Sequence, residues 1–180
     1  MAHVNIEIKA RSARLESIRT YLLENGADFR GTDRQTDTYF QVPHGRLKLR
    51  EGNIENSLIH YLRPDQAGPK QSDFRLIEIA ESRLLKEILT DALGIKVVIK
   101  KQREIYYLEN IKFHLDSVER LGNFVEIEAS DKSWPLPLET LYEQCNFYKS
   151  AFQIKEEDLV HFSYSDMLLA LSASPAPADL

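Results

Sequence analysis

The sequence predicts an α+β fold whose main element is one antiparallel sheet of roughly eight strands. The strand-like segments alternate apolar and polar residues, and short turns join most of them. Helical patterns occur at a few places only, between or after runs of strands. A parallel βαβ sheet requires a crossover helix between successive strands, so these observations favour antiparallel pairing.

Strands are predicted where apolar and polar residues alternate and where turn residues separate such segments. His3–Ala10 places its apolar residues on one face and Asn5, Glu7 and Lys9 on the other. The segment QTDTYFQV at Gln35–Val42 is rich in threonine and aromatic residues, which favour strands. The remaining predicted strands are Arg46–Glu51, Ser57–Arg63, a short one near Asp73–Ile79, one or two within Lys96–Leu108, Asn110–Val118 and Asn123–Ala129.

Helices are predicted where leucine and isoleucine recur at helical spacing. Ser12–Ala27 shows this spacing and has Gly26 near its end. Glu81–Leu93 carries a continuous apolar stripe, and two further helices are expected at Leu138–Lys149 and Glu156–Leu171. These helices flank the predicted sheet.

Two segments show no periodicity. Residues 65–72 (DQAGPKQS) are predicted to form a flexible loop. Residues 172–180 (SASPAPADL) are rich in proline, alanine and serine and are expected to be a disordered tail. We therefore expect a single domain over residues 1–171.

Charge and composition restrict the class of protein. The 180 residues include 23 basic and 28 acidic side chains, and the resulting net charge of −5 argues against nucleic acid as the main partner. No apolar run approaches the ~18 residues of a spanning helix, and the start lacks a signal peptide, so we expect a cytoplasmic protein without a membrane partner. The single cysteine, Cys145, excludes an internal disulfide and a cysteine-rich zinc cluster.

The charged faces of the strands carry the functional information. Several strands place charged residues at positions of the same parity, opposite an apolar face. Two interpretations are open: the charged faces meet solvent, or the sheet curls into a barrel whose lumen they line while helices cover its apolar outside. The lumenal set would comprise the bases Lys9, Lys48, Arg50, Arg63, Lys101 and Arg103 and the acids Glu7, Asp116, Glu126 and Glu128.

Such a lumen would suit a polyphosphate bound together with a metal ion. Its six bases against four acids approach neutrality once a divalent cation and a ligand of about four negative charges are added. Arginine and lysine bind phosphate oxygens, whereas closely spaced carboxylates suit Mg²⁺ or Mn²⁺.

Seven ordered blocks between residues 3 and 171 resemble a known family. They are NIEIKAR, QTDTYF, GRLKLRE, HYLRPD, VIKKQRE, HLDSVERLGNFVEIE and YSDML. In this order and spacing they resemble the CYTH superfamily of triphosphate tunnel metalloenzymes, most closely the class IV adenylyl cyclases. The resemblance implies an eight-stranded antiparallel β-barrel with flanking helices, a charged tunnel, and a small-molecule triphosphate as partner.

The resemblance also implies residue roles. Glu7, Glu126 and Glu128 would bind Mg²⁺ or Mn²⁺, and Lys9 would orient these acids or contact phosphate. Asp116 matches an acidic position near the metal, and we group it with Glu7 and Lys9 as catalytic. The phosphate-binding set would be Lys48, Arg50, Arg63, Lys101 and Arg103.

One position departs from the family pattern. Asn5 stands where the ExExK motif has its first glutamate, which removes one charge and one metal ligand. Three functions stay open: cyclisation of ATP to cyclic AMP and pyrophosphate, hydrolysis of inorganic, thiamine or nucleoside triphosphate, and non-catalytic sensing of a triphosphate or polyphosphate. The family includes dimers, so a homodimer is possible.

Asp37 and His114 are two further candidates for the site. Asp37 is expected to make a structural hydrogen bond rather than to sit at the tunnel mouth. The five histidines show no metal-ligand spacing, although His114 shares the parity of Asp116 and so faces the same side of its strand.

Overall fold

The structure is a computed structural model that describes residues 5–62, 69–71, 73–131 and 135–173. Its strands are β1 Asn5–Arg11, β2 Asp28–Phe40, β3 Arg46–Glu51, β4 Ser57–Leu62, β5 Lys70–Gln71, β6 Asp73–Glu78, β7 Ile95–Leu108, β8 Ile111–Val118 and β9 Gly122–Ser130. Its α-helices are α1 Leu15–Glu24, α2 Arg83–Leu93, α3 Leu138–Ala151 and α4 Tyr164–Ala173. Each of these helices is too short or too polar to cross a membrane.

The strands form one antiparallel sheet that curls back on itself. Its order is β5-β1-β9-β8-β7-β2-β3-β4-β6, so the consecutive segments β5 and β6 lie at opposite edges. Gln71 pairs with Ile6 of β1, whereas Asp73 pairs with Leu62 of β4. Counting β5 and β6 as one interrupted strand gives eight, which confirms the predicted α+β fold with a barrel-like antiparallel sheet and flanking helices.

Two helices cover the outside of one half of the sheet. The apolar residues of β1, β8 and β9, such as Ile8, Phe113 and Ile127, pack against α1 and α3 in one buried cluster. Cys145 of α3 belongs to this cluster. Burial of this apolar face stabilises the curl and leaves the opposite, charged face of the same strands for the lumen.

The fourth helix closes one end of the barrel from the inside. Tyr164 and Leu168 of α4 pack on the lumenal residues Ile99, Val118 and Phe124. The lumen is therefore apolar at this end, and its charged part lies beyond the α4 contact.

Three predictions differ from the structure. The segment 65–72, predicted to be a loop, contains the short strand Lys70–Gln71, which pairs with β1. β2 begins at Asp28 rather than at residue 35, because its irregular first half, with a register shift near Gly31, is held by pairing with β7. The predicted helix Glu156–Leu171 is wrong between its ends: after the 3-10 turn Glu156–Asp158 the chain is extended. Leu159 there forms a bridge with Ala10, which competes with helix formation.

Candidate functional site

The curled sheet encloses a cavity of about 900 Å³. Eight of the ten predicted site residues line it, namely Glu7, Lys9, Lys48, Arg50, Lys101, Arg103, Glu126 and Glu128. Asp116 lies behind the wall of this cavity, and Arg63 lies outside the described residues. The charged strand faces thus meet in a common lumen, as the second of the two interpretations requires.

Strand register explains why these residues converge. Glu7 stands opposite Glu128 and Lys9 opposite Glu126 in the β1–β9 pair. On the other side of β9, His114 of β8 stands opposite Glu126. Directly opposed residues of an antiparallel pair point to the same face, so these side chains meet in the lumen.

Asp37 holds three basic residues together, and we call these three, Lys48, Arg50 and Lys101, the basic wall. Its Oδ1 accepts from Arg50 Nε at 2.9 Å, and its Oδ2 accepts from Arg50 Nη2 at 3.0 Å, Lys48 Nζ at 3.0 Å and Lys101 Nζ at 3.2 Å. Burial alone would raise the pKa of Asp37, but Arg50, Lys101 and Lys48 lower it well below its usual range. The structural hydrogen bond expected for Asp37 is therefore a buried ionic network.

Lys101 differs electrostatically from the other two members of the basic wall. Burial and the neighbouring charge of Arg103 lower the pKa of its ammonium group to about 7, in spite of the opposing effect of Asp37. A lysine with this pKa exchanges protons near neutral pH, which suits both phosphate binding and proton transfer.

Arg103 is held on the acidic side of the cavity. Its Nε and Nη2 donate to the two oxygens of Asp116 at 2.7 and 2.5 Å, and Nη2 also donates to Glu126 at 2.8 Å. The hydroxyl of Tyr164 donates to Asp116 Oδ2 at 2.8 Å. Both oxygens of Asp116 are thus engaged in hydrogen bonds. The Nζ of Lys9 lies 3.9 Å from the centroid of the Tyr164 ring.

Glu7, Glu126 and Glu128, which we call the acidic trio, lie on the neighbouring strands β1 and β9. Glu126 accepts from Lys9 Nζ at 2.6 Å. Burial, with further contributions from Glu126 and Glu7, raises the pKa of Glu128 to about 7 against the lowering effect of Lys112. A carboxylate such as Glu128, whose charged form is disfavoured by burial and by neighbouring acids, gains stability from a bound cation.

His114 adds a nitrogen to this group. Its Nδ1 lies 2.9 Å from Glu126 Oε2 and 3.6 Å from Glu128 Oε1, and one ligand atom of each residue lies within 4.8 Å of the others. Burial, followed by the charges of Arg103 and Lys112, lowers the pKa of His114 to about 3, so its ring is neutral at pH 7. A neutral imidazole beside two carboxylates is a donor set that fits a divalent cation such as Mn²⁺.

Sequence reasoning missed several residues of the cavity, including Lys112, Tyr164 and Glu55. Lys112 and Tyr164 line it, and the parity that Lys112 shares with His114 and Asp116 would have identified it as lumenal. Glu55 also lines the cavity but lies in the loop between β3 and β4, where no periodicity applies.

Replacing Glu128 by glutamine should stabilise the metal-free protein at pH 8 and weaken any stabilisation by a divalent cation such as Mn²⁺. The pKa of Glu128 is about 7 in the folded protein against 4.5 normally, so its contribution to stability falls as the pH rises from 4.5 to 7. At pH 8 the unfavourable charge costs about 3 kcal/mol, and its removal should raise the melting temperature by roughly 6–12 °C.

Thermal melts with a chelator and with Mn²⁺, at pH 5 and pH 8, measure both effects. The exposed Glu139→Gln on α3 serves as the control and should match the parent protein. A Glu128→Gln variant that is no more stable than the parent at pH 8, or that keeps the full Mn²⁺ effect, would contradict this assignment.

Comparison with known proteins agrees with this fold. A protein of Methanocaldococcus jannaschii named "putative adenylate cyclase" is 26% identical over 175 residues, which cover 91% of this chain and 98% of that protein. The solved structure of the PH1012 protein from Pyrococcus horikoshii superposes with a TM-score of 0.77 at 26% identity and covers 90% of this chain and 98% of its own.

A third likeness concerns the fold alone. The structure of a "putative adenylate cyclase" from Vibrio parahaemolyticus has a TM-score of 0.76 at 16% identity, covering 94% of this chain and 99% of its own.

The sequence pattern of the CYTH domain matches residues 3–164 of this chain. With most of the chain matched and the charged, curled sheet in place, the protein belongs to the CYTH domain family.

Proposed function

We propose that the protein is a metal-dependent enzyme of the class IV adenylyl cyclase kind, which converts ATP to cyclic AMP and pyrophosphate. The observation that carries the proposal is that the acidic trio and the basic wall face the same cavity. The acidic trio can hold a divalent cation, and the basic wall can hold the phosphates of the same ligand. Membership of the CYTH family and the name of the M. jannaschii relative agree with this reading.

The acidic trio, together with His114, would hold Mg²⁺ or Mn²⁺. The bound ion would supply Lewis-acid stabilisation of charge that develops on phosphate oxygens. The nitrogen ligand of His114 favours Mn²⁺ over Mg²⁺, because Mg²⁺ prefers oxygen ligands more strongly. Asp116, whose oxygens are both engaged, is assigned a positioning role toward Arg103 and Tyr164 in place of direct contact with the metal.

The side chains of the cavity would then perform a nucleotidyl transfer. The ribose 3′-oxygen attacks the α-phosphorus, the bond to the bridging oxygen breaks, and pyrophosphate leaves with that electron pair. Lys48 and Arg50 of the basic wall neutralise the charge that builds on the leaving pyrophosphate. Lys101, with a pKa of about 7, is able to accept the proton of the 3′-hydroxyl. Lys9 keeps Glu126 oriented.

Asn5 favours a second candidate, a non-catalytic triphosphate or polyphosphate sensor. Its amide lines the cavity on β1 beside Glu7, where the family motif has a carboxylate. Loss of one charged ligand weakens a metal site and slows chemistry that depends on it, while the basic wall still binds anions.

Asn5→Glu should therefore tighten Mn²⁺ binding by about tenfold and raise any turnover. Isothermal titration with Mn²⁺ measures the affinity, and product formation from ATP measures the rate. Asn146→Glu adds the same charge at an exposed position of α3 and should change neither quantity. If Asn5→Glu leaves both the affinity and the rate as they are, our account of Asn5 fails.

The function itself is tested with purified protein, Mn²⁺ or Mg²⁺, and a panel of ATP, thiamine triphosphate and inorganic triphosphate. Cyclic AMP and pyrophosphate from ATP would support the cyclase, whereas orthophosphate from any substrate would identify a triphosphatase. Metal-dependent thermal stabilisation without product would favour the sensor. Absence of both product and stabilisation would overturn the proposal.

A further inference from the structure

Glu55 bridges two walls of the cavity from the loop between β3 and β4. Its Oε2 accepts from Arg50 Nη1 at 2.9 Å, and its Oε1 accepts from Lys112 Nζ at 2.6 Å. Arg50 lies on β3 and Lys112 on β8, and two strands, β7 and β2, separate them in the sheet. One carboxylate therefore neutralises basic residues that reach the lumen from different directions.

The backbone of this loop is fixed in place. Asp33 accepts hydrogen bonds from the backbone N–H groups of Ile54 and Glu55, each at 2.9 Å. A side chain at Gly52 would bring its Cβ to 2.6 Å from the Asp33 carboxylate oxygens, which only glycine avoids. The loop is thus held against β2, so any displacement of Glu55 requires its side chain to rotate away from Arg50, Lys112 and Gln35.

Exposure distinguishes Glu55 from the other carboxylates that hold the basic residues. The side chain of Glu55 is 24% exposed, against 2% for Asp37 and 0% for Asp116. Glu55 lines the cavity, whereas Asp37 and Asp116 lie behind its wall. Of these three acids, Glu55 is the one that can rotate toward solvent without leaving a charge buried.

The charge balance of the lumen indicates why displacement of Glu55 would matter for ligand binding. Six basic and six acidic side chains line the cavity among the described residues, against the six and four expected from sequence. Lys112 and Arg50, together with other charges, lower the pKa of Glu55, against the effect of burial, far below its usual value. An incoming anion therefore meets basic residues that already have partners, and it must replace an internal acid to gain full pairing.

We propose that Glu55 is a resident counter-anion that a phosphoryl group of the ligand replaces between Arg50 and Lys112. The proposal rests on the proposed function, because it assumes that the cavity binds a triphosphate. Two oxygens of a phosphoryl group bridge two cations much as a carboxylate does. Lys112 also stands opposite Glu128 in the β8–β9 pair, so a phosphoryl group bound there lies beside the acidic trio. Glu55 thereby sets the affinity for polyanions.

The test is calorimetric titration with inorganic tripolyphosphate in the presence of Mg²⁺. Glu55→Gln should bind about tenfold more tightly than the parent, because a like charge next to the anion is removed. Lys112→Met should bind about tenfold more weakly, and the gain from Glu55→Gln should shrink in the double variant. Glu51→Gln is the matched control, since Glu51 on β3 contacts Ser82 and Lys86 rather than the cavity.

The outcomes separate this inference from the function on which it rests. Tripolyphosphate binding by the parent with no gain, or a loss, in a folded Glu55→Gln variant would overturn the inference alone and make Glu55 a structural brace. Absence of binding by the parent and by every variant would overturn the proposed function, and the inference with it. Circular dichroism of each variant establishes that it is folded.

Discussion

Replacing Arg103 by methionine is expected to lower the free energy of unfolding by about 3–5 kcal/mol. Arg103 is 3% exposed, and its guanidinium is the partner of two buried carboxylates, Asp116 and Glu126. Its removal leaves Asp116 charged in an apolar environment, with the Tyr164 hydroxyl as its remaining direct donor among the described contacts. Lys9 and His114 still contact Glu126, so Asp116 accounts for most of the loss.

Urea melts of three variants, Arg103→Met, Arg103→Lys and Lys100→Met, separate the loss of the charge from the loss of the two-pronged contact and from a general effect of removing a basic residue from β7. Lys100 lies on the outer face of the same strand, and its loss should cost less than about 0.5 kcal/mol. Arg103→Lys keeps a charge but loses the two-pronged contact, and it should fall between the parent and Arg103→Met. Equal stability of Arg103→Met and the parent would mean that Asp116 and Glu126 do not depend on Arg103 in solution.

Much of the fold was predictable because a half-buried strand repeats every two residues. β1, β8 and β9 show this repeat, and their predicted bounds match the structure within about two residues. The first half of β2 does not alternate and is held in the sheet by its partner β7. Such pairing joins residues that are far apart in the chain, so a local sequence pattern does not predict it.

The distinction between local patterns and long-range contacts applies to the site as well. Parity identified Lys48, Arg50, Lys101 and Arg103 as lumenal, and the structure places all four at the cavity wall. Parity does not tell which acid pairs with which base, because that depends on strand register and on loops. Glu55, which meets Lys112 from 57 residues away, is therefore the clearest omission.

Arg50→Ala is expected to weaken the binding of a triphosphate by about 100-fold. Arg50 places one nitrogen toward Glu55 and two toward Asp37, which makes it the link between the cavity wall and the network behind it. Its loss removes a charge-assisted contact to phosphate and leaves Lys48 and Lys101 as the remaining basic partners of Asp37. The protein should remain folded, because these two lysines still neutralise Asp37.

Titration with ATP in the presence of Mn²⁺ measures this effect directly. Arg46→Ala is the matched control, because Arg46 lies on the same strand and face but pairs with Asp166 of α4 rather than lining the main cavity. Its affinity should stay within about threefold of the parent. Arg50→Lys should recover part of the loss, since the charge remains while the planar contact does not. Equal affinities of Arg50→Ala and the parent would remove Arg50 from the phosphate site and leave Lys48 as the candidate phosphate ligand on β3.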